Sequence, residues 1–163
     1  MRERAANHGS RRAREFEAFV AGAAGRLLHA ATLLTAETDE ANDEAQRLLT
    51  AALAHTYAEW DRLRGEDPYD HARQELATRF ARTAWRHHHR ARGGVLARLS
   101  PQERLVLVLR LYEGVAEEQT AALLGLPAER VRAICTRAMA AMRSGGRPER
   151  PRPTAARTGE VAP

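Results

Sequence analysis

LSPQERLVLVLRLYEGVAEEQTAALLGLPAERVRAICTRAMAAMR, residues 99–143, is the stretch that decides the fold. From Val131 the apolar residues fall at Val131, Ile134, Cys135, Ala138, Met139 and Met142. That is the i, i+3, i+4, i+7, i+8, i+11 spacing of one buried helix stripe. Arg130, Arg132, Thr136 and Arg137 lie off the stripe and face outward. A shorter helix over 116–124 precedes it and ends at Gly125, a residue suited to a left-handed cap. Pro127 supplies a fixed φ for the first turn of the next helix. Two short helices joined through a glycine turn, the second basic outside and apolar inside, describe a DNA recognition helix and its brace. An ordinary helical hairpin with a solvated charged face shares this periodicity, so the pattern alone leaves both readings open.

Upstream, Ser100-Pro101-Gln102-Glu103 forms a capping box with serine at the cap, proline at the first helical position and glutamate three residues on. The run from Leu105 to Leu109 has the composition of a strand, but the cap before it predicts a central helix buried nearly all round. Gly93-Gly94 is a breaker. A helix over 69–90 turns Ala72, Leu76, Phe80 and Ala84 inward and carries Arg73, Arg79, Arg82, Arg86 and Arg90 outside. Before it, a helix over 44–60 buries Ala45, Leu48, Leu49, Ala52, Leu53, Thr56 and Trp60. A first helix over 15–34 places Phe16, Phe19, Val20, Ala23, Leu27, Leu28 and Ala31 on one face. The expected architecture is all-α: a three-helix unit over 14–92, a linker over 93–98 and a helix-turn-helix unit over 99–143. Residues 1–13 read as a basic disordered arm. Residues 144–163, with four prolines, read as a disordered tail.

The chain has 163 residues, and all 26 of its basic residues are arginine; with 21 acids the net charge is +5. Arginine makes bidentate contacts to phosphate, which suits nucleic acid, although codon bias yields the same preference. The charge is unevenly placed: net −7 over residues 37–70 and net +7 over 71–110. Such blocks suggest one face that meets DNA and one that cannot. The single cysteine, Cys135, sits on a buried stripe and fits a reducing compartment. The N-terminus lacks the apolar core of a signal peptide. No stretch reaches the ~20 apolar residues needed to span a bilayer, so a cytoplasmic protein without a membrane partner is expected.

His87-His88-His89 invites a metal reading, but consecutive helix residues point about 100° apart and do not converge on one ion. Solvated histidines, or phosphate contacts beside Arg86 and Arg90, fit better. Trp85 suits either stacking on an unpaired base or the rim of a helical core. No nucleophile–base pair, phosphate-cradling glycine loop or metal-ligand spacing is present, so neither enzyme activity nor a cofactor is expected.

The helix order, the DRLRGEDP loop, the arginine-rich TAWRHHHRAR and the terminal segment together resemble bacterial sigma factors of the extracytoplasmic-function type, the small actinobacterial ones above all. The resemblance spans about residues 16–143. It implies two helical domains: one that binds the RNA polymerase clamp and captures the unpaired −10 strand, and one that reads the −35 element. It places polymerase contacts at Arg47, Thr50 and Ala51, where the family carries an acid and a glutamine-glutamate pair. A guanidinium in place of a carboxylate turns an attractive contact repulsive, so docking on polymerase by the usual route is altered. In the last helix Ala133 and Ile134 replace a serine and an arginine, Glu129 adds a negative charge, and Ala116 stands where a capping serine is usual.

The linker departs furthest. Eight extended residues over 91–98 reach at most ~29 Å at ~3.6 Å each. Promoter elements about 25 base pairs apart are separated by roughly 85 Å. Domains about 25 Å wide do not comfortably close that gap, which points to the two halves packing as one helical body. Two functions follow: a DNA-binding initiation factor or regulator with Arg79, Arg82, Trp85, Arg86 and Arg90 as a second DNA surface, or an interaction module that binds a polymerase subunit, an anti-sigma-like regulator or itself.

Overall fold

Apolar residues at helical spacing in an alanine-rich segment form the longest element, α1 (Arg2–Thr35). The computed structural model describes residues 2–87 and 93–145. After α1 come α2 (Asp43–Ala58) and α3 (Pro68–Thr83), which runs into a 3-10 turn, Ala84–His87. Then follow α4 (Pro101–Leu107), prolonged by a π-helical turn (Val108–Tyr112), α5 (Glu117–Leu124) and α6 (Ala128–Ser144). Among the described residues the fold is all-α, and the only extended pairing is an isolated bridge between Thr38 and Ala41.

Helix α1 starts well before the position that periodicity suggested, and the stretch expected as a disordered arm is helical from Arg2. Charge and aromatic contacts hold its first turns against the end of α2. Arg12 lies 4.4 Å over the Tyr57 ring, donates to the Tyr57 carbonyl and pairs with Asp61 at 3.4 Å. Arg11 pairs with Glu15 one turn on, at 2.7 Å. Below them Phe16, Phe19, Tyr57 and Trp60 form an aromatic cluster, with Phe16 edge-on to Trp60 at 5.1 Å.

The segment Asn7–Thr35 is also long and apolar enough by composition to cross a bilayer, contrary to the sequence expectation. Its apolar side is taken up by the core, where Ala23, Leu27, Ala30, Ala31 and Leu34 are buried.

The helix ends are set locally. Asp67 accepts from the Tyr69 amide at 2.9 Å to start α3. The capping box of α4 is formed in both directions, Glu103 N–H to Ser100 Oγ and Ser100 N–H to Glu103 Oε2. Helix α2 is capped from a distance: the buried Glu37 carboxylate accepts from the Glu44 and Ala45 amides at 3.2 and 2.8 Å. Gly125, with φ +64°, closes α5 in a Schellman motif in which Leu126 N–H reaches Ala121 O at 3.0 Å. Pro127 is the cap of α6, one position earlier than expected.

One hydrophobic core crosses the boundary between the two expected units. Leu27, Leu34, Leu76 and Phe80 of the first pack with Leu99, Leu105, Val108 and Leu109 of the second. Leu96, in the expected linker, is buried in the same core. Each such side chain contributes about 1.5–3 kcal/mol by leaving water. Polar contacts add to the junction. Arg104, only 2% exposed, donates from Nη1 to the Leu34 carbonyl at 2.8 Å and from Nη2 to the His87 carbonyl at 2.9 Å. The buried Glu113 carboxylate accepts from Tyr69 Oη at 3.0 Å and lies 3.6 Å from Arg26. Burial, reinforced by Glu113, pushes the Tyr69 phenol well above its ordinary range. The π turn delivers Glu113 to this spot, with Glu113 N–H bonded to Val108 O five residues back at 2.9 Å.

Candidate nucleic-acid interface

Val131, Ile134 and Ala138 are the buried part of the α6 stripe: Val131 and Ile134 pack with Val106 and Ala121, and Ala138 joins the larger core, whereas Cys135 is only half-buried and Met139 is exposed, short of the burial expected of them. With that side fixed, Arg130, Arg132, Thr136 and Arg137 are all exposed, as the spacing requires. Their electrostatic situations differ. Arg130 is exposed and has no ion-pair partner among the described residues. Arg132 forms a two-pronged pair with Glu117 at the start of α5, at 2.7 and 3.2 Å. That hydrogen bond makes the guanidinium hold its proton more tightly than usual. Arg137 Nε donates to Glu103 at the start of α4, at 2.8 Å. Thr136 turns its hydroxyl back to the Arg132 carbonyl at 3.0 Å.

Glu103 thus serves two ends: one oxygen caps α4 and the other holds Arg137. Burial alone would raise its pKa, but the Arg137 and Ser100 hydrogen bonds outweigh burial and hold it below the usual carboxylate range. Exposed pairs of this kind are worth about 0–1 kcal/mol, so either arginine can leave its carboxylate for a phosphate at small cost.

The second basic surface is less regular than the sequence suggested. Helix α3 ends at Thr83, not at Arg90. Arg79 is paired with Glu75 at 2.6 Å, whereas Arg82 is exposed without an ion-pair partner among the described residues. Trp85 is 67% exposed, and the Arg86 guanidinium lies over one side of its ring, 5.1 Å from the centroid. His87 corrects the expectation of solvated histidines: it is buried and stacks on Phe80 at 5.0 Å. Arg90, His88 and His89 lie outside the described residues, as does the expected tail from residue 146.

Arg47 and Thr50 are exposed on α2 and Ala51 is half-buried; with Asp43, Gln46 and Ala54 they line a shallow depression. Arg47 pairs with Glu44 at 2.9 Å and Thr50 bonds back to the Gln46 carbonyl at 2.8 Å. Neither side chain is tied to another helix, so this face is open to a partner.

Among the described residues no cluster of three or more His, Cys, Asp or Glu side chains could hold a metal ion. Glu103 and Glu117, the partners of Arg137 and Arg132, were not foreseen from sequence. Glu103 was visible as a capping residue, but no local pattern links it to Arg137, thirty-four positions away.

Comparison with known proteins matches residues 95–144 to the family described as sigma-70, region 4. The chain is 29% identical to the RNA polymerase sigma-E factor of Streptomyces coelicolor over 153 residues, covering 79% of this chain and 84% of that protein. It is equally similar, at 29%, to the RNA polymerase sigma-E factor of Streptomyces avermitilis, covering 79% of this chain and 83% of that one. No solved structure matches.

Proposed function

We propose that this chain, a divergent relative of the extracytoplasmic-function sigma factors with a region 4 helix-turn-helix in its C-terminal third, is a DNA-binding protein of transcription initiation. The observation that carries this reading is the outer face of α6, where Arg130, Arg132, Thr136 and Arg137 are presented on a helix whose opposite side is buried at Val131, Ile134 and Ala138. Residues 14–92 act as the unit that meets polymerase and offers DNA a second basic surface, and 99–143 as the helix-turn-helix reader, with 93–98 between them. The partners of this role are promoter DNA and core RNA polymerase, with an anti-sigma-like protein as its regulator. The role asks for positioning, not catalysis by the chain itself, and it is exercised in the cytoplasm, where the template lies.

Fluorescence anisotropy with a random-sequence duplex tests it. Wild-type binding should weaken linearly in log–log terms with added salt, and Arg130→Ala should flatten that slope by about one. A protein without salt-sensitive duplex binding at low ionic strength would refute the DNA reading. One observation favours a second reading, a sigma-fold interaction module: Glu117 and Glu103 already neutralise two of the four α6 side chains. Retention of core polymerase without duplex binding would select it.

A further inference from the structure

A single groove runs between the end of α3 and the turn that leads into α6. Ala81 and Ala84, at the end of α3, line one side, beside Arg82 and Trp85. Leu124 and Leu126 line the other, immediately before α6 and Arg130. Gln102 is on the wall between them, and its neighbour Glu103 holds Arg137.

The units that carry these surfaces are not free to part. Leu96 and Leu99, which connect them, are buried in the shared core. The Gly94 amide bonds to the Ala36 carbonyl at 3.0 Å, so close that a Cβ on Gly94 would lie 2.4 Å from the Glu37 carbonyl oxygen. Arg104 grips carbonyls at the ends of both α1 and the 3-10 turn.

We infer that the chain engages duplex DNA as one rigid body, with the α3 end and α6 contacting a single contiguous segment instead of two separated elements. This rests on the DNA-binding reading of α6. A globular chain of this length has a radius of gyration of about 15 Å, and hence a diameter of about 40 Å. At ~3.4 Å per base pair that body covers about 12 base pairs, close to one helical turn.

The test uses the full chain and fluorescein-labelled random-sequence duplexes of about 8 to about 40 base pairs at low salt. Per-site affinity should rise with length up to about 12 base pairs and then level off. On the ~12-base-pair duplex, Arg82→Ala and Arg130→Ala should each reduce the salt slope by about 0.9, the signature of one lost phosphate contact. Both residues are exposed and unpaired among the described residues, and unchanged circular dichroism would verify that the variants fold. Per-site affinity that keeps climbing to ~25 base pairs, or an Arg82→Ala slope equal to wild type on the short duplex, would overturn the inference while leaving α6 as a DNA reader. Absence of binding at every length would refute the DNA-binding reading itself, and the single-segment inference with it.

Discussion

Replacing Arg104 with alanine should destabilise the whole protein, not one end of it. The guanidinium is 2% exposed and donates to Leu34 O, near the end of α1, and to His87 O. Hydrogen bonds from a charged group contribute about 1.5–3 kcal/mol each, and removal of the donor takes both away. Burial itself lowers the pKa of Arg104, so removing the charge returns part of that cost. A net loss of about 3 kcal/mol remains, which for a chain of this size lowers Tm by about 6–12 °C. Arg104→Met would refill the volume of the stem without supplying a donor and should recover less than half of the loss. Thermal and urea unfolding followed by circular dichroism at a single probe wavelength would measure both variants. A Tm within about 2 °C of wild type for Arg104→Ala would refute the reasoning, because it would mean that the two carbonyls find other donors at no cost.

Gly94→Ala should cost about 1–3 kcal/mol by overpacking against the Ala36–Glu37 backbone, read as a lower urea midpoint at an unchanged slope. Glu103→Gln keeps the capping geometry but loses the charge held by Arg137, and should cost about 0.3–1 kcal/mol at neutral pH. Because the folded-state pKa of Glu103 is depressed, its contribution is present above the unfolded carboxylate range and lost as pH falls through the folded value. Wild type and variant should therefore converge in stability in acid, and a gap that persists there would contradict the assignment. On α2, the combined change Arg47→Asp, Thr50→Gln and Ala51→Glu should strengthen core RNA polymerase binding about tenfold or more in a titration, since each acts at an exposed or half-buried position. Tight wild-type binding unaffected by the change would place the docking surface elsewhere.

Much of the fold was legible because it is written in short-range patterns. The α6 stripe at Val131, Ile134 and Ala138, the Ser100–Glu103 box and the Gly125 turn each involve residues within one or two turns of one another, and these formed, although Met139 of the same stripe is exposed. What escaped depends on distance. Arg104 reads as a flank of an apolar run, although a helix buried all round leaves it no solvent-facing position, and that signal was available. The π turn leaves no trace in a 3.6-residue period, and it is what turns Glu113 inward to meet Arg26 and Tyr69 from residues 44 or more positions away. The arginines of α6 were placed on the correct face, but their occupation by Glu103 and Glu117 comes from helix starts that only the packed structure brings alongside.

Those two carboxylates give α6 a built-in competitor. Glu117 presents to Arg132 a pair of oxygens as a phosphate would, Glu103 presents one oxygen to Arg137, and each does so from a tether too short to diffuse away. On the proposed DNA-binding reading a passing duplex must displace it, so contact at Arg132 and Arg137 is an exchange of anions instead of a gain of one. Arbitrary DNA, which has only phosphates to offer, profits little from that exchange. A site that also satisfies Arg130, Thr136 and the groove side profits more, and the gap between a chance encounter and a productive one widens without any increase in the arginine count.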